Sequence, residues 1–545
     1  MVHDLVYASP LVIVTLFGLI ALMVGVFADR ERETGWLGHV IVIGFVGALA
    51  ALWWLWGQAP IAFETASMAR SLIVDEFAIA VCAIILVGAI LTTWTAIHYL
   101  PAQNADHHEY YALVAFSTMG MMGMVMAADL LTMFVALEVM SIGVYVLVGF
   151  KRQSAFATEG ALKYFVLGSF ASALLLLGIA FLYGVTGDIT LTGIAASFDK
   201  VEGVAGDPLA IIGMLLVIAA FAFKIAAAPF HMWVPDVYEG ALTSVTGLMA
   251  VAVKTAGFAA FLRIMLTCFA DEAFRTTGGI GPPWELIVAG LAVASMVIGN
   301  LMALGQTNLK RMLAYSAVAH TGYMLLALLA TSSVSSNTPD LTTLGAGITI
   351  YMLAYTLANA AAFGVAAALG DGDREDISEP SYAGLAKRDP VLAMVLGVSM
   401  LSLLGIPTTA GFIGKLTVFV EVLEQGKPLY LWLVIIAVIN SVVSAWYYLR
   451  VILVAYMTDE VEGVSIVESR PLRFGVILAT ALTLAVGLLP GDVVDASRKA
   501  GHSLTRTTNP GQLGAGTGKA QASQASIGVR TPNTNLPTDH HGLRH

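Results

Sequence analysis

Charge is what this chain has least of. Across 545 residues only 12% are Asp, Glu, Lys or Arg, against 58% hydrophobic, and the mean hydropathy is +0.82. A soluble domain carries roughly 25% charged residues, so a water-soluble fold is excluded and a polytopic helical membrane protein is indicated. Cysteine is nearly absent. Cys82 and Cys268 lie alone in separate apolar segments, which excludes a disulfide framework, a thiolate metal site and an iron–sulfur cluster held by this chain. The net charge is −10 and no basic cluster is present to follow phosphates, so no nucleic-acid partner is expected. A Gly-rich phosphate loop after a strand is missing too, and with it any nucleotide fingerprint. The stretch from Met1 to Leu5 has no basic region ahead of its apolar run, and the run reads as a first transmembrane helix rather than a leader.

What is present is a succession of apolar segments of about 20 residues, the length that a ~30 Å hydrocarbon core requires. Fourteen are read, at about 8–28, 36–56, 71–98, 110–127, 129–150, 157–184, 208–230, 242–268, 284–304, 310–331, 342–369, 390–424, 429–457 and 471–490. The fold class is therefore all-α. Prolines interrupt two segments, at Pro229 and Pro407, and leave discontinuous helices. These breaks lie five segments apart and each carries a lysine, which suggests duplicated five-helix units. An odd number of spans inverts the second copy. The expected organisation is three helices in 1–108, a first unit in 109–270, a second in 284–457, a last helix at 471–490 and a disordered polar tail at 491–545. The tail is Gly-, Ser-, Thr-, Gln- and Asn-rich and too poor in large apolar groups to order itself. Its His540, His541 and His545 read as solvated rather than metal-binding. Basic residues set the orientation. Arg30, Arg32, Lys151, Arg152, Lys310, Arg311, Arg374, Lys387, Arg388, Arg470 and Arg473 fall in one set of loops, against Arg70, Lys200, Arg275 and Lys427 in the other. The first set is placed in the cytoplasm and both termini outside.

Inside the apolar segments stand Lys163, Lys224, Lys254 and Lys415, and one acid stands mid-segment, Glu138, between Leu137 and Val139. A charge at that depth costs about 2.5–3.5 kcal/mol on insertion scales, and by default it marks a functional site. Non-helical backbone there needs protein or a water-filled cavity around it. Lys224 beside the Pro229 break is thus an ion or proton site, with a snorkelling lysine as the bland alternative. Glu138 shares a helix face with Ser141 and Tyr145, and Lys224 is its expected partner in an ion pair. Lys254 is read on a face with Gly247, Ala250 and Gly257, small residues that let helices approach. Lys415 follows the second break, Gly405 to Lys415. For Lys163, an i, i+4 pair with Glu159 at the membrane edge stands beside a relay role. His320, near Tyr315, Ser316 and Tyr323, reads as a titrating relay or a hydrogen-bonded core histidine. His231, Asp236 and Glu239 read as a cytoplasmic funnel or a loop contact. Arg263 and Arg450, near segment ends, are expected to snorkel.

At these residues the chain resembles subunit N of the antiporter-like membrane subunits of proton-pumping NADH-quinone oxidoreductase, respiratory complex I. The stretches that carry the resemblance are Leu131 to Ser141, Ala161 to Gly168, Phe223 to Gly240, Asn308 to Ser316 with His320, and Gly405 to Lys415. Two departures are visible: Leu242 and Thr408 stand where the family usually has proline. The resemblance implies inverted repeats and a proton path along the membrane midplane. On it Glu138 and Lys224 are the charge pair, Lys254 the connecting lysine and Lys415 the terminal lysine. The resemblance also implies partners: other membrane subunits of the complex, including a neighbouring antiporter-like subunit and small helical subunits, in a cell inner membrane. FMN, iron–sulfur clusters and quinone are then bound by partner subunits, with no cofactor in this chain. A cation/proton antiporter subunit, or a subunit of a related membrane-bound hydrogenase or dehydrogenase, is the alternative.

Overall fold

Helix starts in this chain are fixed by side chains that take up the first unpaired N–H groups. Asp75, Asp129, Asp207 and Asp389 accept from the backbone of Ala78, Thr132, Leu209 and Leu392, and Ser154 and Ser469 do the same for Ala157 and Leu472. Pro208 and Pro390 follow two of these caps, where a missing N–H costs nothing. The computed structural model describes residues 2–27, 34–58, 61–64, 70–200, 207–269, 283–332, 345–370, 377–461 and 466–507.

Among the described residues, eleven helices are long and apolar enough to cross a bilayer. The fourteen segments of the sequence reading meet that measure at eleven places. Glu109–Met126 is helical but outside that set, and Pro208–Lys224 and Pro390–Leu404 are shorter because the chain leaves the helix at each break. Two helices form the centre. The most apolar stretches of Thr243–Cys268 and Leu309–Thr331 are 100% buried, beyond the reach of lipid. Glu76–Ala102 and Ala346–Leu369 pack around them. The outer helices expose Phe27, Trp53, Phe170, Trp432 and Val442, the apolar surface that a bilayer solvates.

Two helix pairs, Glu109–Met126 with Leu130–Val148 and Pro283–Leu304 with Leu309–Ser332, meet through the same contact. A Cβ on Gly120 would stand 2.5 Å from Met140 N and 2.8 Å from Ala136 O, and one on Gly299 would stand 2.5 Å from Ala319 N and 2.9 Å from Tyr315 O. Only glycine lets these helix pairs close. The matched contacts put the two helix pairs in register, so that Ser141 corresponds to His320 and Glu138 to Ala317.

The structure departs from the sequence reading at three elements. An antiparallel ribbon, Ile61–Glu64 with Arg70–Val74, joins the second and third segments of an otherwise helical fold. Residues 491–507, read as the start of the disordered tail, form the helix Gly491–Thr507. Its Ser497, Ala500, Ser503 and Leu504 are buried, and Ser503 Oγ accepts from Phe77 N at 2.9 Å. Bulk composition hides such a stripe. The rest of the tail, with its histidines, lies outside the described residues. Finally, Arg263 does not snorkel. It is 1% exposed and holds Asp75 through two bonds of 2.8 and 2.9 Å.

Candidate functional site

The first break begins at Lys224, not at Pro229. Pro208–Lys224 ends there, Ala226 takes a φ of +61°, and helix resumes at Val234. Pro229 disfavours helical backbone in the residue before it, so the chain opens ahead of the ring. The freed groups find partners: Ala228 N donates to Ser295 Oγ at 2.9 Å and Trp233 Nε1 to Phe223 O at 3.3 Å. Lys224 is 5% exposed. Its Nζ donates to Ser141 Oγ at 2.7 Å and lies 5.5 and 5.7 Å from the ring centres of Tyr145 and Tyr164. The expected direct pair with Glu138 is not formed: no oxygen of Glu138 comes within the 4.0 Å of an ion pair. Glu138 instead accepts from Ser172 Oγ on the neighbouring helix. It sits one turn from Ser141, half-buried on a flank where Val135 and Ile142 are exposed. Ser141 stands between the two charges.

Lys254 follows a π-helical turn, Met249–Val253, inside the eighth segment. Such turns recur at functional sites. The surplus residue breaks the expected small-residue face: a Cβ on Gly247 would meet Thr92 and Phe363, and one on Gly257 would meet Ile225 and Lys224. Lys254 is 3% exposed, donates to the Ala317 carbonyl, and lies 5.3 Å from the centre of Tyr355. Thr321 joins it to the first break. The Thr321 hydroxyl stands 2.7 Å from Ile225 O, a carbonyl released by the break, and 3.1 Å from Ala317 O, the carbonyl that holds Lys254.

In the second unit the break runs through Gly405 and Thr408, with φ of +91° and +79°. Lys415 Nζ donates to the freed Leu404 carbonyl at 2.9 Å and to Ser441 Oγ at 3.3 Å, 4.9 Å from the centre of Tyr323. His320 lies between the two lysines. Its ring nitrogens bind Tyr351 OH at 2.8 Å and Tyr448 OH at 3.0 Å, and its ring centre is 5.1 Å from that of Tyr355 and 5.8 Å from that of Tyr323. A cavity lined by His320, Tyr351, Tyr355, Ser402 and Lys415 offers about 10 Å³ to a water centre, room for about one water.

Lys163 stands apart. It is 40% exposed and bonds Glu159 at 2.6 Å and Asp236 at 2.7 Å. Arg311 completes the group, 3.0 Å from Asp236 and 2.6 Å from Glu239. Burial acts to raise the Asp236 carboxyl, but its bonds to Lys163 and Arg311 outweigh that and hold it below the ordinary aspartate range. Lys310, read as a loop residue, is fully buried and donates to Ala241 O at 2.6 Å.

A line of buried protonatable groups between two broken helices suits proton or cation movement, and the relatives agree with that architecture. The family described as "NADH:quinone oxidoreductase/Mrp antiporter, TM" matches residues 127–444. A protein named NADH-quinone oxidoreductase subunit N, from Trichlorobacter lovleyi, is 39% identical over 494 residues, covering 90% of this chain and 96% of its own length. The chain belongs to the NADH-quinone oxidoreductase subunit N family. A chain of respiratory complex I from Thermus thermophilus superposes with a TM-score of 0.73 at 34% identity, covering 89% of this chain and 98% of that one. A chain of the Mrp complex from Dietzia sp. shares the fold alone, with a TM-score of 0.76 at 22% identity, over 92% of this chain and 98% of its own. At the two departures from the usual family sequence, the structure keeps both breaks. Thr408 sits at positive φ, and Leu242 precedes the helix Thr243–Leu248. The sequence reading missed Thr321, Tyr355, Ser441 and Ser172. Hydroxyl residues are common in membrane helices, and only packing shows which ones meet a lysine or a freed carbonyl.

Proposed function

We propose that this chain is a proton-translocating membrane subunit of an NADH-quinone oxidoreductase, embedded among other membrane subunits of that complex. The observation that carries the reading is the buried succession Lys224, Lys254, His320 and Lys415, linked by hydroxyls and rings across the core of both units. Protons enter near Lys224 from the side of the basic loops, which is cytoplasmic, and both termini lie outside. Ser141 passes protons to and from Lys224, and Glu138, one turn away, sets the local field rather than touching the amine. Thr321 shares its hydrogen between Ile225 O, next to Lys224 at the first break, and Ala317 O, which holds Lys254. His320 and the cavity beside it carry the path to Lys415. Lys163 belongs to the charge cluster at the entrance. The chain's own groups do nothing redox; flavin, iron–sulfur and quinone chemistry belong to partner subunits, and none of these cofactors binds here.

The test is NADH-driven proton uptake into vesicles containing the whole complex. Lys254→Ala and Lys415→Ala are expected to assemble and to lose proton uptake, while Lys415→Arg keeps the charge but not the transfer, because arginine does not release its proton. Full uptake by either alanine variant would overturn the relay. A cation/proton antiporter subunit is favoured instead if uptake depends on sodium.

A further inference from the structure

One buried acid has no part in this path. Glu421 lies six residues beyond Lys415 on Ala410–Glu424 and is 1% exposed. Its Oε1 accepts from Gly347 N at 2.8 Å, in the first turn of Ala346–Leu369, and the Ala346 N–H of the same turn also acts on the carboxyl. Its Oε2 is buried without a partner among the described residues. A Cβ on Gly347 would stand 2.6 Å from that oxygen, so the glycine leaves the space that the carboxyl fills. A helix cap alone needs only one acceptor, which Ser, Thr or Asn supplies. Leaving the second oxygen buried without a partner is an added cost that a cap does not require. The charges that act on Glu421 are Glu424, on its own helix, and Arg498, on Gly491–Thr507.

Position favours a proton role. A rise of 1.5 Å per residue puts Glu421 about 9 Å past Lys415, toward the end marked by Gly345. The opposite end of that helix, Gly370, meets Gln103, which binds Lys151 of a basic loop. Gly347 and Tyr351 are one turn apart, and Tyr351 lines the Lys415 cavity and binds His320.

We propose that Glu421 is the proton-release group of this chain, which rests on the relay reading above. A proton leaves Lys415 Nζ, breaking its N–H bond, and passes through a short file of water. It forms an O–H bond on Glu421 Oε2. That bond then breaks to water on the face opposite the basic loops, and the carboxylate is restored beside Gly347 N. No electrons move.

The test compares Glu421→Gln, Glu421→Asp and Lys415→Ala in the whole complex in vesicles. Glutamine keeps an acceptor for Gly347 N and carries no releasable proton. Loss of a positioned transfer group slows proton transfer by roughly 10²-fold, so Glu421→Gln is expected to assemble with its NADH-driven proton uptake lost, and Glu421→Asp to recover most of it. Infrared difference spectra during turnover should show a carboxyl band that shifts in Glu421→Asp. Full uptake in Glu421→Gln, with Lys415→Ala inactive, would leave Glu421 a helix cap and overturn the proposal. Full uptake in Lys415→Ala would overturn the relay itself. If Glu421→Gln does not assemble, the spectra decide: a carboxyl band unshifted by Glu421→Asp overturns the proposal.

Discussion

At the scale of single residues, the pair Arg263–Asp75 and the hydroxyl of Thr321 make the sharpest claims. Taking away one partner of a buried ion pair costs about 3–5 kcal/mol, because the other charge stays buried alone. Arg263→Leu is therefore expected to deplete the subunit from membranes, read by native gels of the complex. Adding Asp75→Asn should restore most of it, since asparagine is neutral and still caps Ala78 N. Thr321→Val keeps the shape and removes the hydroxyl between Ile225 O and Ala317 O. A freed carbonyl costs about 1–3 kcal/mol, so the subunit should assemble while proton uptake falls by roughly tenfold. Unchanged uptake would remove Thr321 from the path. The lysines were legible in the sequence because a charge in an apolar run is rare. Thr321 and Ser441 were not, because a hydroxyl inside a membrane helix usually bonds its own backbone. Arg263 was misread from its place near a segment end; its partner is 188 residues away.

At the scale of elements, both breaks were legible from proline, but not where they open. Lys224 ends its helix because the chain turns ahead of Pro229, and Lys415 follows a turn that uses positive φ. Thr408 holds φ at +79°, which costs roughly 1–2 kcal/mol in a non-glycine residue. Thr408→Gly is expected to stabilise the subunit by about 1 kcal/mol, seen as a higher temperature for its release from the complex. Thr408→Pro should do the reverse, because proline fixes φ near −65°. Equal release temperatures for all three would mean that the turn is not built this way. The helix Gly491–Thr507 escaped the sequence reading because four buried side chains are lost in the average of a polar tail.

At the scale of the whole molecule, the spacing between broken helices suggests two units, and the matched Gly120 and Gly299 contacts are consistent with that spacing. What holds the units together at the basic side was hidden, since Lys163, Asp236, Glu239 and Arg311 come from three separated stretches. Asp236 is held below its ordinary range, so its contribution is present above the ordinary aspartate value and is lost as pH falls through the lowered one. Hydrogen exchange over residues 234–240 in the solubilised complex should stay slow at pH 7 and rise only below about pH 4. In Arg311→Ala it should be fast already at pH 7. Slow exchange in that variant would mean that packing, not charge, closes this side.

The π turn before Lys254 has a genetic consequence. Loss of one codon within Met249–Val253 would leave hydropathy, charge and span length almost untouched. Yet it would remove the surplus residue and restore plain α-helix. At 3.6 residues per turn, everything on one side of the deletion would rotate by about 100° against the other. Either Lys254 swings away from Ala317 and Tyr355, or Thr243 to Leu248 leaves its packing. A single in-frame deletion here is thus expected to be as damaging to proton uptake as replacing the lysine.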